Sequence, residues 1–301
     1  LAANSPKITT NSPTQRIGAS ANSEKFMHKG YPKTNIQLIT LDLDDTLWDT
    51  AKTIGRAEEA LRSWLKSEAR DAYEVYRSGD MGAMRAKVVE RHPEHRHDLS
   101  FLRRTLLAEV MRFAGYADAT AEQLAAEGFA IFFDHRNQVQ FFPGAVDVLR
   151  YLSQLYPIIA LTNGNADVKR AGIADYLVDA ISSADVGFKK PHAAMFEAAL
   201  KKRDIAAPYA VHIGDNILDD ITGAANAGMH SVWVDVDHIK GGLRPGEGKA
   251  VAATQSAPGA VGANLPRAGD LQDQTVAAAT YTAKSLPELS HALSYIESLV
   301  G

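Results

Sequence analysis

The chain has 301 residues, enough for about two domains at ~150 residues each. With 46% hydrophobic and 23% charged residues it has an ordinary globular composition, which excludes a collagen-like, wholly disordered or very small stapled chain. Having no cysteine, it holds no disulfide framework, thiolate metal site or cysteine nucleophile, and its net charge of −4 gives no bulk attraction to nucleic acid or an anionic membrane.

Residues 1–34 are rich in Ser, Thr, Asn and Pro and set five Lys or Arg against the single acid Glu24, with no apolar period. A disordered tail is expected there, with an organelle-targeting segment as the alternative reading. Order is expected to begin with the strand-like run Ile36–Leu41, which ends abruptly in acids. From Thr53 to about Arg136 nothing reads as a strand, and apolar residues recur at helical spacing: Ile54, Ala57, Leu61 and Leu65, then Phe101, Leu102, Leu106 and Met111, then Leu124, Phe129 and Phe132. Past Pro143, short apolar runs at Ile158–Leu161, Val178–Ile181, Ala210–Ile213 and Val232–Val234 alternate with helix-length segments. Such alternation predicts a parallel sheet with helices on both faces.

The run at 36–41 has the same character but stands apart. The predicted fold class is therefore α/β, a Rossmann-like parallel-sheet core over 35–50 and 138–301 with an all-helical cap domain, 51–137, inserted after the first strand. Within the core, residues from about 240 to 275 turn to Gly, Ala, Pro and Gln, which predicts a mobile surface insertion. Leu286, Leu289, Leu293, Ile296 and Leu299 then close the chain as an amphipathic helix, with Ser285 and Glu288 at capping-box spacing. No apolar run approaches the ~18 residues that cross a bilayer, so a cytoplasmic protein with no membrane and no nucleic-acid partner is expected.

In an open parallel sheet, ligands bind beyond the carboxyl ends of the strands. The first run ends in Asp42, Asp44 and Asp45, three acids within four residues. Crowded carboxylates repel unless a cation or shared proton offsets the repulsion, so they point to a hard metal such as Mg²⁺ or to acid/base work. The alternative is an acidic turn capping the next helix through Asp45 or Asp49. Thr162, Asn163, Gly164 and Asn165 follow the second run as a hydroxyl-amide turn, expected to lead into a helix and to seat an anion. Lys189-Lys190-Pro191 is expected at the entrance of the helix continued by Phe196, Ala199 and Leu200, where a lysine makes sense if an anion is bound. Gly214-Asp215 and Asp219-Asp220 supply a second acidic cluster, with Asp220 able to face Asp215 across one cavity.

Together these four segments resemble the motifs of the haloacid dehalogenase superfamily of phosphohydrolases, over about residues 36–236. More closely, Asp44-Asp45-Thr46-Leu47-Trp48-Asp49, Leu161-Thr162-Asn163-Gly164-Asn165-Ala166 and His212-Ile213-Gly214-Asp215 are similar to the bacterial flavin mononucleotide and pyrimidine phosphatases of riboflavin metabolism. The resemblance implies Asp42 as nucleophile, Asp44 as general acid/base, and Thr162, Asn163 and Lys190 as phosphate ligands. It implies Mg²⁺ held by Asp42, Asp44, Asp215 and Asp220, the last chosen over Asp219 because it directly precedes the Ile221-Thr222-Gly223-Ala224 helix start. It further implies hydrolysis of a small phosphorylated metabolite such as FMN or 5-amino-6-(5-phosphoribitylamino)uracil. A sugar-phosphate mutase, or a non-catalytic binding module of the same fold, is the alternative. A halide leaves without a proton and an alkoxide does not, so an acid at Asp44 favours phosphate chemistry over dehalogenation.

Three further features have structural readings. The segment Arg91–His97 is expected to be a solvated cap turn rather than a metal site, because His95 and His97 at i,i+2 face apart. Arg103 and Arg104 are expected in surface ion pairs, with reach over the cleft as the alternative. Trp48 either lines the leaving-group side of the site or packs in the domain hinge.

Overall fold

A computed structural model describes residues 31, 33–239 and 279–300. Residues 1–30 and 32 of the expected tail, and the whole of the 240–275 insertion, lie outside the described residues. Among the described residues six parallel strands form one sheet in the order β3-β2-β1-β4-β5-β6. They are β1 (Leu38–Leu41), β2 (Ile158–Thr162), β3 (Asp179–Ser182), β4 (Ala210–Gly214), β5 (His230–Val234) and β6 (Tyr281–Ala283). β1, β2 and β4 are buried along their whole length, as strands covered on both faces must be.

Between Thr50 and Arg136 the chain forms five α-helices, α1 (Thr50–Glu68), α2 (Arg70–Ser78), α3 (Met81–Arg91), α4 (Leu99–Phe113) and α5 (Asp118–Arg136). Three begin with an aspartate whose carboxylate accepts a backbone N–H of the first turn: Asp49 from Lys52, Asp80 from Ala83 and Asp98 from Phe101. Leu61, Leu65, Leu107, Met111 and Phe132 pack into a cluster of their own, so this helical cap carries a core separate from that of the sheet.

The two-residue period of the strands divides the sheet core in two. Ile39, Leu41, Ile158, Ala160, Val211 and Ile213 pack with α6 (Ala145–Leu155), whereas Leu38, Ile159, Leu161 and Ala210 face α7 (Ala193–Arg203). The closing helix α8 (Leu289–Val300) joins the first cluster through Leu289, Leu293 and Ile296. Its Glu297 carboxylate accepts the backbone N–H groups of Asn35 and Ile36 and the Tyr156 hydroxyl, which ties the entry of β1 to the last helix.

The predicted fold class is the observed one, with three local differences. β6 was not expected; three residues with Thr282 at the centre carry no periodic signal, and their pairing with Val232–Val234 forms the strand. No helix follows β2: turns and a short 3₁₀ segment, Ala174–Tyr176, replace it. α7 starts at Ala193 with His192 as its cap, two residues beyond the proline expected to open it. Trp48 is fully buried and meets Phe141 edge-on at 5.7 Å where the two crossings between sheet and cap run side by side, so it packs in the hinge. Among the described residues no helix is long and apolar enough to cross a membrane.

Candidate active site

β1 and β4 are hydrogen-bonded neighbours at the middle of the sheet, so their carboxyl ends bring Asp42 and Asp215 together. The Asp42 backbone N–H donates to the Ile213 carbonyl at 2.9 Å and carries the pairing one residue past β1. Its carboxylate is buried, accepting from Lys190 Nζ at 2.7 Å and from Thr46 Oγ1 at 3.0 Å. The same Thr46 hydroxyl lies 3.1 Å from Asp215 Oδ1, and its single proton serves one carboxylate at a time. Trp233 Nε1 donates to the Asp215 carbonyl at 2.8 Å and pins that loop.

Lys190 is almost fully buried between two carboxylates, Asp42 at 2.7 Å and Asp220 at 2.6 Å. Asp220 sits in a π-helical turn, Ile217–Thr222, that folds it back over the end of β4. It also accepts from the Asn216 backbone N–H at 2.9 Å and faces His212 Nε2 at 3.0 Å. Burial pushes the His212 imidazole below its ordinary pKa and so favours the neutral ring, in which an Nε2–H donates to Asp220 while Nδ1 accepts from Thr40 at 2.8 Å. Thr40 and His212 are register partners on β1 and β4, which is why they meet.

Charge in the site is unbalanced. Burial pushes Asp42 up to about 7, with the Asp220 and Asp44 charges adding to the shift and Lys190 opposing it. Burial, then Asp42 and Asp220, also raise Asp215 well above the carboxylate range. For Asp220, burial is outweighed by the Lys190 charge and the His212 bond, which hold it well below that range. One ammonium does not neutralise this many acids. Carboxylate oxygens of Asp42, Asp215 and Asp220 lie within 4.8 Å of one another, an all-oxygen donor set of the kind hard divalent cations take.

Asp42, Lys190, Asp215 and Asp220 therefore gather at one place, while the side chains of Asp44 and Asn163 are engaged with other partners. Asp44 was expected among the metal ligands, but its carboxylate lies outside the group of three and turns to the cap, where Arg136, Trp48 and Thr50 bind it. The side chain of Asn163 was expected on phosphate; it is spent instead on the Lys190 backbone, with Oδ1 accepting Lys190 N at 2.7 Å and Nδ2 donating to Lys190 O at 3.0 Å. The same Nδ2 lies 3.1 Å from Asp219, the acid left outside the cluster. Thr162 ends β2 with Oγ1 accepting from Gly164 N at 2.8 Å. Arg103 pairs with Glu58 at 2.5 Å inside the cap and covers the Phe132 ring, and His95 stacks on Phe101.

Sequence reading missed Arg136, His212 and the bridging role of Thr46. A histidine inside the apolar run Ala210–Ile213 was the available sign for His212.

Residues 36–228, more than half of the chain, match the haloacid dehalogenase-like hydrolases, and the chain belongs to that family. Among its curated relatives is the 5-amino-6-(5-phospho-D-ribitylamino)uracil phosphatase YigB of Escherichia coli K12, 29% identical over 67% of this chain and 85% of the relative. Another is a glyceraldehyde 3-phosphate phosphatase of Pyrococcus abyssi, 31% identical over 66% of this chain and 81% of the relative. The crystal structure of a 2-haloacid dehalogenase from Pseudomonas syringae pv. Tomato DC3000 is similar with a TM-score of 0.68 and 36% identity, over 86% of this chain and 98% of that one. Within the family, the named phosphatases and the acid pair just after β1 make the chain a phosphoric monoester hydrolase.

Proposed function

We propose that the chain is a Mg²⁺-dependent phosphomonoesterase that hydrolyses a small phosphorylated metabolite through an aspartyl-phosphate on Asp42. One observation carries this reading: a buried carboxylate at a strand end, gripped by a buried lysine, shares its surroundings with two further acids and has a second acid two residues on. Asp42, Asp215 and Asp220 would hold the cation, and bound there it would supply positive charge against the repulsion between carboxylate and phosphate dianion. Lys190 contributes the same offset from the protein side.

Asp42 attacks phosphorus while the bond to the leaving oxygen breaks, and Asp44 delivers a proton to the departing alkoxide. Asp44 then takes a proton from water as that water attacks the phosphoryl group, which frees Asp42 and releases inorganic phosphate. Acid/base assistance of this kind is worth about 10²–10⁴-fold. The Thr162 hydroxyl, whose oxygen already accepts from Gly164, directs its hydrogen to a phosphoryl oxygen. The likeness to YigB and to the riboflavin-pathway motifs favours 5-amino-6-(5-phosphoribitylamino)uracil or FMN as substrate.

The likeness to a 2-haloacid dehalogenase favours a second reading, halide displacement by Asp42. Phosphate release from FMN and related esters, with Mg²⁺ or with chelator, is measured beside halide release from 2-haloacids. The expected result is Mg²⁺-dependent phosphate release that falls to background in Asp42→Asn. Halide release without phosphate release overturns the phosphatase reading.

A further inference from the structure

Arg136 is the last residue of α5 and almost completely buried, yet among the described residues its Nε and Nη1 have no hydrogen-bond partner. Its polar contacts are confined to Nη2, which donates to Asp44 Oδ1 at 2.8 Å and Oδ2 at 2.6 Å. A buried guanidinium with two idle donor groups is costly, so this arrangement is not one that packing alone would favour.

The two oxygens of Asp44 have different surroundings. Oδ1 also accepts from Trp48 Nε1 at 2.9 Å and Thr50 Oγ1 at 3.0 Å, which makes it the anchor. Among the described residues Oδ2 accepts from Arg136 alone, and it lies over Gly164, where an added Cβ would stand 2.3 Å from it, 3.2 Å from Thr162 Oγ1 and 3.4 Å from Arg136 Nη2. Oδ2 and the Thr162 hydroxyl thus both border the space left open at Gly164. Next to Arg136, Asn137 fastens the end of the cap to the loop after β2, accepting Asp167 N at 2.7 Å.

We propose that Arg136 is a positioning residue, through which the cap aims the Asp44 carboxyl at the leaving-group oxygen, with bare Gly164 providing the space that this orientation needs. The inference rests on Asp44 acting as general acid, as argued above. It assigns a role in leaving-group protonation to a residue that belongs to the cap rather than to the sheet.

The readout is kcat/KM, which covers the steps up to departure of the leaving group, measured for an alkyl phosphate and for p-nitrophenyl phosphate. An alkoxide needs the proton and a nitrophenolate does not. Arg136→Met is expected to lower kcat/KM for the alkyl ester by a factor at least tenfold greater than for the aryl ester, with Arg136→Lys recovering part of the difference. Gly164→Ala, which presses on the same carboxylate directly, is expected to show the same selectivity and decides the matter if the Arg136 variants do not fold. Equal losses on both esters, or no loss, overturn the proposal. Asp44→Asn separates the two ideas: if it shows no leaving-group selectivity, the acid role of Asp44 falls; if it does and the Arg136 and Gly164 variants do not, this inference alone falls.

Discussion

Lys190 is the residue on which the site turns, because among the described residues its ammonium is the one cation bonded to both Asp42 and Asp220. Removing one partner of a buried ion pair leaves the other charges without compensation, at a cost of about 3–5 kcal/mol. Lys190→Met is therefore expected to lower the unfolding free energy in urea by about that amount at neutral pH, in addition to abolishing phosphate release. An unchanged denaturation midpoint would show that the ammonium contributes to chemistry alone. Asp42, Asp44, Lys190, Asp215 and Asp220 were legible in the sequence because acids and a lysine at the ends of apolar runs are conspicuous. Arg136 was not, since its partner Asp44 is 92 positions away and a charged residue at the end of an amphipathic helix is unremarkable. Asn163 was legible as part of the site but not in its task, because a short amide serves equally well on an anion or on a neighbouring loop.

At the level of elements, the π-helical turn after β4 puts a carboxylate where a regular helix start would not. Asp220 folds back over Gly214, at which an added Cβ would come within 2.3 Å of the Asp220 carboxyl carbon. Gly214→Ala must push Asp220 away from Lys190 and His212, and overpacking of this kind costs about 1–3 kcal/mol. The expected outcome is a lowered melting temperature together with loss of Mg²⁺-stimulated turnover; a variant that melts and turns over like the parent would contradict the close approach. Strand-helix alternation was readable from period and punctuation, which is why five of the six strands were anticipated. β6 was not, because a three-residue strand owes its existence to the partner edge it completes. The turn after β2 was misread as a helix start because Thr-Asn-Gly serves both ends, and the local sequence does not choose between them.

For the whole molecule, the acidic cluster sets a pH dependence whose sign follows from linkage. Asp42, raised from an ordinary 3.8 to about 7, binds its proton more tightly in the folded state. Its contribution to stability is complete at acid pH below the unfolded value and is lost as pH rises from about 4 to about 7, and Asp215 adds in the same direction. Asp220, held low by Lys190, contributes in the opposite sense: its stabilisation is present above the ordinary carboxylate value and lost only in stronger acid. Metal-free protein is therefore expected to lose thermal stability between pH 5 and about 7, and a divalent cation that occupies the cluster removes the loss. Saturating Mg²⁺, worth about 2.7 kcal/mol at a hundredfold excess over Kd, is expected to raise Tm more at pH 7.5 than at pH 5. An equal increment at both values would place the cation away from Asp42 and Asp215.

The seating of β6 and α8 has an architectural consequence. Hydrogen bonds to β5, the apolar face of α8 and the grip of Glu297 on Asn35, Ile36 and Tyr156 are what locate this last stretch of chain. These contacts by themselves fix the place of β6 and α8 on the sheet, so a backbone cut between Ile239 and Ala279 is expected to leave the last strand and helix docked.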